Sequence, residues 1–142
     1  MGSELDTGPL RRLLAWAGVQ LHAPRIGRDG RLHFVALHPT RLRRHAHGMA
    51  QPVPGRRVPL RKLDLILLPL LGYDGHGQRL GQGGGYYDRT LAGLRDARRP
   101  LRVGLAYACQ RVPRLPVEPH DHPLHAVLTE RGLRRFRSPL PR

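Results

Sequence analysis

Apolar positions along the chain fall into short segments of two periods. Leu10, Leu13, Leu14 and Ala17 recur at i, i+3, i+4 and i+7, which places one apolar stripe along a helix. Asp6 or Thr7 can cap that helix, Pro9 suits its first turn, and Gly18 suits its end. Trp16 is expected at the edge of the apolar face, packed into the core. Val19 to Ala23 reads as a short strand broken by Pro24, Gly27-Arg28-Asp29-Gly30 as a turn, and Leu32 to Leu37 as a second strand. Arg41 to Arg61 is a basic, proline-containing connection. Leu63 to Leu71 is nearly continuous apolar sequence, the pattern of a strand covered on both faces. A polar helix is expected from Tyr87 to about Arg95, and a further strand from Leu101 to Tyr107. A proline-rich loop runs from Val112 to His120, and Ala126 to Thr129 reads as the final short strand. Strands alternating with helical patterns predict an α/β fold, with a largely parallel sheet flanked by helices.

The 142 residues suffice for one core. The expected organisation is a single domain over 1–130 and a basic tail over 131–142, disordered at its end. No internal repeat is visible.

Between the apolar run and the polar helix lies Gly77-Gln78-Arg79-Leu80-Gly81-Gln82-Gly83-Gly84-Gly85-Tyr86-Tyr87-Asp88. A glycine-rich loop at the carboxyl end of a strand, opening a helix, suits an anion: unpaired N–H groups converge there and no side chain blocks close approach. Arg79 adds a planar fork of donors for phosphate or carboxylate, and Asp88 a hard oxygen ligand of the kind a magnesium-bound phosphate needs. No Gly-Lys-Ser/Thr follows the glycines, so this is not a P-loop. Tyr86 stands where the dinucleotide fingerprint requires its last glycine. A flexible glycine-rich turn is the alternative reading.

Charge adds a second class to weigh. The net charge is +15, and all 25 basic residues are arginine except Lys62. Such a charge attracts polyanions. The arginines are scattered, however, and only 5% of residues are aromatic, too few for many base-stacking platforms, so nucleic acid is not the expected partner. The single cysteine, Cys109, excludes an internal disulfide framework, fits a reducing compartment, and is expected as a small buried residue at a strand end. His45 with His47, and His120, His122 and His125 around Asp121, match no common zinc spacing. No apolar run approaches the ~18 residues of a membrane span, and the start lacks a signal-peptide pattern. A soluble, cytoplasmic monomer without membrane partners is expected.

Arg79-Leu80-Gly81-Gln82-Gly83-Gly84-Gly85-Tyr86-Tyr87-Asp88-Arg89 resembles the signature of the 5-formyltetrahydrofolate cyclo-ligase family. The flanks agree. Asp64 to Asp74 resembles the family's strand and its Gly-aromatic-Asp. Gly104-Leu105-Ala106-Tyr107, Gln110, Leu115-Pro116, Glu118, His120-Asp121 and Thr129-Glu130 resemble its C-terminal segment, and Glu4-Leu5-Asp6-Thr7 its Glu-x-Asp-Thr element. The resemblance implies a fold of the NagB/RpiA/CoA-transferase type. It also implies conversion of 5-formyltetrahydrofolate and ATP to 5,10-methenyltetrahydrofolate, ADP and phosphate, with Mg²⁺. It places ATP on Arg79, Leu80, Gly81, Gln82, Gly83, Gly84, Gly85, Tyr86 and Tyr87, and the folate on Glu4, Gln82 and Tyr86. Asp88 and Asp121 then hold the magnesium ion. Arg79, Tyr86 and Tyr87 act in the chemistry, Arg79 on developing phosphate charge and a tyrosine against the folate ring.

The family begins with a basic helix and a first strand ahead of its Glu-x-Asp-Thr element, so this chain reads as amino-terminally truncated. Gln51 stands where the family usually has Glu, and His125 where it often has an acid. A weakly active or inactive relative that binds folate or nucleotide is therefore a second expectation, and a basic nucleic-acid-binding protein a third.

Overall fold

The computed structural model describes residues 5–37, 56–94, 99–119 and 121–137. Glu4, His45, His47, Gln51, Arg95 and His120 lie outside them. The chain forms two compact units, Met1–Leu60 and Arg61–Arg142.

In the first unit, helix α1 (Gly8–Trp16) carries Pro9 in its first turn, and Gly18 with φ 81° follows its end. The cap differs from expectation. The Thr7 side chain makes no capping bond, and Asp6 Oδ1 accepts the Gly8 N–H at 2.9 Å. Trp16 is 86% exposed, which corrects its expected core position: helix α1 has no buried residue, and Leu13 on the apolar stripe is itself exposed. Strands β1 (His22–Ile26), β2 (Leu32–Ala36) and β3 (Arg57–Val58) form an antiparallel sheet in that order. Pro24 does not break β1. It lies on the edge strand, opposite Phe34, where its missing N–H leaves no central ladder bond unmade. Leu32, Phe34 and Val35 are buried.

The second unit holds β4 (Leu65–Pro69), β5 (Gly72–Tyr73), β6 (Arg79–Leu80), α2 (Tyr86–Leu91), β7 (Leu101–Leu105), β8 (Ala126–Thr129) and β9 (Gly132–Arg135). One sheet has the order β4-β7-β8-β9. Its first two pairings are parallel and the last antiparallel. The architecture is α/β with mixed sheets: the parallel arrangement covers β4, β7 and β8, and the other pairings are antiparallel. Strand β4 ends the order, so its apolar run is not covered throughout. Ile66 and Leu68 are buried while Leu65 and Pro69 are exposed. Nor is Ala126–Thr129 the last strand. Gly132–Arg135 pairs with it through backbone bonds that an arginine-rich sequence does not hinder, and charge suits an edge strand.

Two loops return the chain from β4 to β7 and from β7 to β8, and both leave from carboxyl ends of parallel strands. Beneath them, Leu70, Tyr73, Leu91, Val103, Ala106, Leu124 and Val127 are buried. Gly104 is where these layers come closest: a Cβ there would lie 2.7 Å from Leu70 Cδ2 and 2.8 Å from Leu124 Cδ1. Gly104→Val is expected to overpack this point and destabilise the chain by about 1–3 kcal/mol. A lower urea midpoint at unchanged slope would show it.

Cys109 is exposed, in a single 3-10 turn (Ala108–Gln110) rather than buried at a strand end. Strand β7 stops earlier, at Leu105. Beyond it the Gln110 side chain bonds Leu70 O at 3.1 Å and Leu71 O at 3.2 Å, and Glu130 accepts the Ala108 N–H. These contacts shape the segment as a turn.

Candidate functional site

The glycine-rich loop does not follow β4 directly. Leu71 turns the chain, and β5 and β6 form a small hairpin with Gly72 opposite Leu80 and Tyr73 opposite Arg79. Asp74 closes it. Its Oδ1 accepts the N–H groups of His76 (2.9 Å) and Gln78 (3.0 Å). Arg79 is therefore a strand residue with a fixed backbone, and the glycines start where the ladder stops.

From there Gly83 (φ 96°) and Gly85 (φ 67°) take left-handed conformations that side-chain-bearing residues adopt only at a cost. Gly85 is the residue before α2 and gives way at once to Tyr86. Helix α2 is shorter than the expected Tyr87-to-Arg95 helix and continues as a 3-10 turn, Ala92–Leu94.

A cavity of about 340 Å³ opens over this loop. Every residue from Arg79 to Asp88 lines it, with Pro69 at the end of β4 and Leu115, Pro116, Glu118 and Asp121 from the β7–β8 connection. The sequence-predicted residues Arg79, Leu80, Gly81, Gln82, Gly83, Gly84, Gly85, Tyr86, Tyr87, Asp88 and Asp121 thus share one wall or another of a single pocket. Glu4 lies outside the described residues.

Arg79 anchors the floor. Its side chain is 7% exposed, and Nη2 donates to Asp88 Oδ1 at 2.9 Å. Its guanidinium carbon stands 6.0 Å from the Tyr87 ring centroid. Its buried Nε has no hydrogen-bond partner among the described residues. A buried unmatched donor is costly, and this one is held out of contact with the cavity by the packing around it. Burial raises the Tyr87 pKa, opposed by the charge of Arg79, so the hydroxyl stays protonated at neutral pH and is able to donate. Tyr86 faces outward, with the Arg89 guanidinium 5.0 Å from its ring centroid. That pair makes a cation-backed aromatic surface at the rim.

Asp88 and Asp121 both line the cavity. Asp88 is held by Arg79, and Asp121 Oδ2 accepts the Glu118 N–H at 2.7 Å. Among the described residues no three histidine, cysteine or acidic groups cluster as a metal cage. Asp88 and Asp121 are two carboxylates lining one cavity with the glycine-rich loop, a donor set of the chemical type Mg²⁺ takes, since that ion binds through one or two carboxylates and completes its shell with water and phosphate oxygens.

Sequence reading assigned no role to Arg102 and named His125 only as one of three loop histidines and as a departure from the family's acid; the structure pairs the two. Arg102 lies on β7, half-buried; its Nε donates to Pro123 O at 2.7 Å, and burial, then the charge of Arg79, lowers its pKa. His125 Nδ1 accepts the Arg102 N–H at 2.8 Å, while the His125 N–H donates to Arg102 O at 2.8 Å. Neither carries a local sequence signal, because both act through strand pairing. Burial, then the charge of Arg102, lowers the His125 pKa from its usual 6.5. The folded state therefore prefers neutral His125. The associated stability is fully present above the unfolded value of about 6.5 and is lost as pH falls through the depressed folded value. Urea midpoints should fall between about pH 7 and pH 5. His125→Gln, which keeps an acceptor and cannot protonate, should reduce that fall.

The chain is similar to proteins of one family. The model of the 5-formyltetrahydrofolate cyclo-ligase family matches residues 1–130. The 5-formyltetrahydrofolate cyclo-ligase of Escherichia coli K12 is 41% identical over 136 residues, covering 89% of this chain and 71% of that protein. The enzyme of that name from Haemophilus influenzae is 48% identical over 71 residues, covering 50% of this chain and 37% of its own. Among solved structures, the 5,10-methenyltetrahydrofolate synthetase of Aquifex aeolicus superposes with a TM-score of 0.73 at 32% identity, over 100% of this chain and 71% of that one. The synthetase of Mycoplasma pneumoniae, at 22% identity, bears on the fold alone: its TM-score is 0.63, over 88% of this chain and 63% of that one.

Proposed function

This chain belongs to the 5-formyltetrahydrofolate cyclo-ligase family, and on that premise we propose that it closes 5-formyltetrahydrofolate to 5,10-methenyltetrahydrofolate at the expense of ATP. One observation carries the reading: the whole signature loop lines a cavity whose floor is an arginine held in place by Asp88.

The chemistry needs an activated leaving group. A formamide oxygen leaves poorly, so ring closure in water is disfavoured. Transfer of the γ-phosphoryl group of ATP to the formyl oxygen forms an O–P bond and releases ADP. N10 of the folate then attacks the formyl carbon, the C–O bond breaks with phosphate departing, and the N10 proton is lost. No protein nucleophile takes part. The chain's task is to align the two substrates and stabilise charge on the transferring group.

Arg79 is the donor for that charge, with backbone N–H groups of Gly81 to Gly85 around it. Tyr87 donates a hydrogen bond from its protonated hydroxyl. Tyr86, backed by Arg89, offers a flat surface to the folate ring system, with Gln82 beside it. Asp88 and Asp121 would hold Mg²⁺, which when bound neutralises phosphate charge. A fold of the NagB/RpiA/CoA-transferase type is part of the same proposal, and the parallel β4-β7-β8 pairing supports it.

The test is absorbance of 5,10-methenyltetrahydrofolate formed by the purified chain from 5-formyltetrahydrofolate, ATP and Mg²⁺. Product that appears only with ATP is expected. A folded chain that yields none would overturn the catalytic reading and leave a binding protein of this family.

A further inference from the structure

Asp74 is almost fully enclosed, at 1% exposure, yet it lines no part of the cavity. Its two oxygens do different work. Oδ1 accepts the N–H groups of His76 and Gln78 inside the hairpin turn. Oδ2 accepts the Leu115 N–H at 2.9 Å, across 41 residues of sequence. Leu115 and Pro116 form the cavity wall facing the glycine-rich loop, and Glu118 and Asp121 continue it.

That wall is a long connection with no ladder of its own. Backbone bonds hold its two ends to the same hairpin: Val112 N to Tyr73 O at 2.8 Å, and Leu124 N to Gly77 O at 2.7 Å. Between those ends, Asp74 supplies the side-chain tie from the hairpin to the wall. The hairpin also carries Arg79, opposite Tyr73. One carboxylate thus adds a third tie, between those two backbone bonds, from the wall to the strand that presents Arg79.

We infer that Asp74 is a positioning residue for the nucleotide: by holding Leu115 it sets the gap between the cavity wall and the glycine-rich loop. This rests on the reading that the loop holds ATP. The chemistry allows the two roles of Asp74 to be separated. In Asp74→Asn the remaining carbonyl oxygen can still accept both turn N–H groups, while the amide nitrogen meets the Leu115 N–H donor to donor. Only the tie to the wall is cut.

Where ATP binds only the form in which the wall is tied, losing a bond to a charged acceptor lowers its affinity by roughly tenfold or more. Asp74→Asn is expected to raise the KM for ATP by about tenfold or more and to change kcat by less than about threefold, the pattern of lost ground-state positioning. Amide exchange at Leu115 should quicken in the same variant. A variant that is less stable but keeps its KM for ATP within about twofold would overturn the inference, because a purely structural aspartate behaves that way. So would a rise confined to the KM for 5-formyltetrahydrofolate. Should Asp74→Asn not fold, Leu115→Pro removes the same donor from the other side, in a segment already flanked by Pro116. Leu115→Ala keeps the N–H and serves as its control. The expected result is a higher KM for ATP in the proline variant than in the alanine one; equal values overturn the inference. If the wild-type chain has no turnover, the catalytic reading fails by itself. The inference then rests on the thermal shift that ATP gives the wild type and Asp74→Asn: a smaller shift in the variant supports it, and an equal one overturns it.

Discussion

Replacing Arg79 by Met is expected to lower kcat/KM for ring closure by about a thousandfold while the chain stays folded. Met fills a similar volume, so the effect isolates the guanidinium. That group sits in a wall of the proposed phosphate pocket at 7% exposure, with its backbone fixed in the β5–β6 ladder and one nitrogen held by Asp88. Its orientation is set before any ligand arrives, so little reorganisation is needed as charge develops. Arg79→Lys should recover little, because an ammonium group has neither the planar fork nor the reach to serve Asp88 and an anion together. Stability should change little, since Asp88 keeps 32% exposure and can hydrate when its partner is gone. Steady-state rates beside thermal unfolding of each variant check both statements. A loss smaller than about tenfold would mean that the phosphoryl charge is stabilised elsewhere.

Why Arg79 is so well placed was only partly legible in the chain. The glycine-rich loop was legible because its conformation needs glycine: Gly83 and Gly85 sit at positive φ, and the Tyr86 ring lies within 2.8 Å of where a Gly84 Cβ would be. The parallel strands were legible as apolar runs, and the pocket edge followed from their direction. The hairpin carrying Arg79 was hidden because the apolar run continues through Leu70 and Leu71, so periodicity gives no break. Its signal was Asp74-Gly75, a turn pair followed two residues later by Gly77. Strand β9 was hidden for the opposite reason. Its exposed, arginine-rich sequence has no apolar period, and backbone pairing alone forms it. Pro24 was misleading because proline forbids a central strand and not an edge one. The contacts of Asp74 with Leu115, and of His125 with Arg102, join segments distant in sequence, and no local pattern can express them.

Asp88→Asn should separate the two duties that its position allows. Asn keeps an oxygen that can accept from Arg79, so the floor of the cavity retains its geometry and loses only a negative charge. If Asp88 holds the magnesium ion, the Mg²⁺ concentration for half-maximal turnover should rise by at least about tenfold, the least expected when a group controlling metal affinity is lost. Binding of metal-free ATP should move the other way. Removing a carboxylate beside Arg79 leaves the arginine charge uncompensated, and polyphosphate is then attracted more strongly. Weaker magnesium affinity together with tighter metal-free ATP is a pattern that positioning alone cannot produce. Were Asp88 there only to orient Arg79, Asn would substitute with a modest loss, and the magnesium requirement would not change. Titrating turnover against Mg²⁺, and thermal stabilisation against ATP with and without the metal, reads both signs in one variant. An unchanged Mg²⁺ midpoint would move the metal assignment away from Asp88 and leave it as the acidic partner that keeps Arg79 in place.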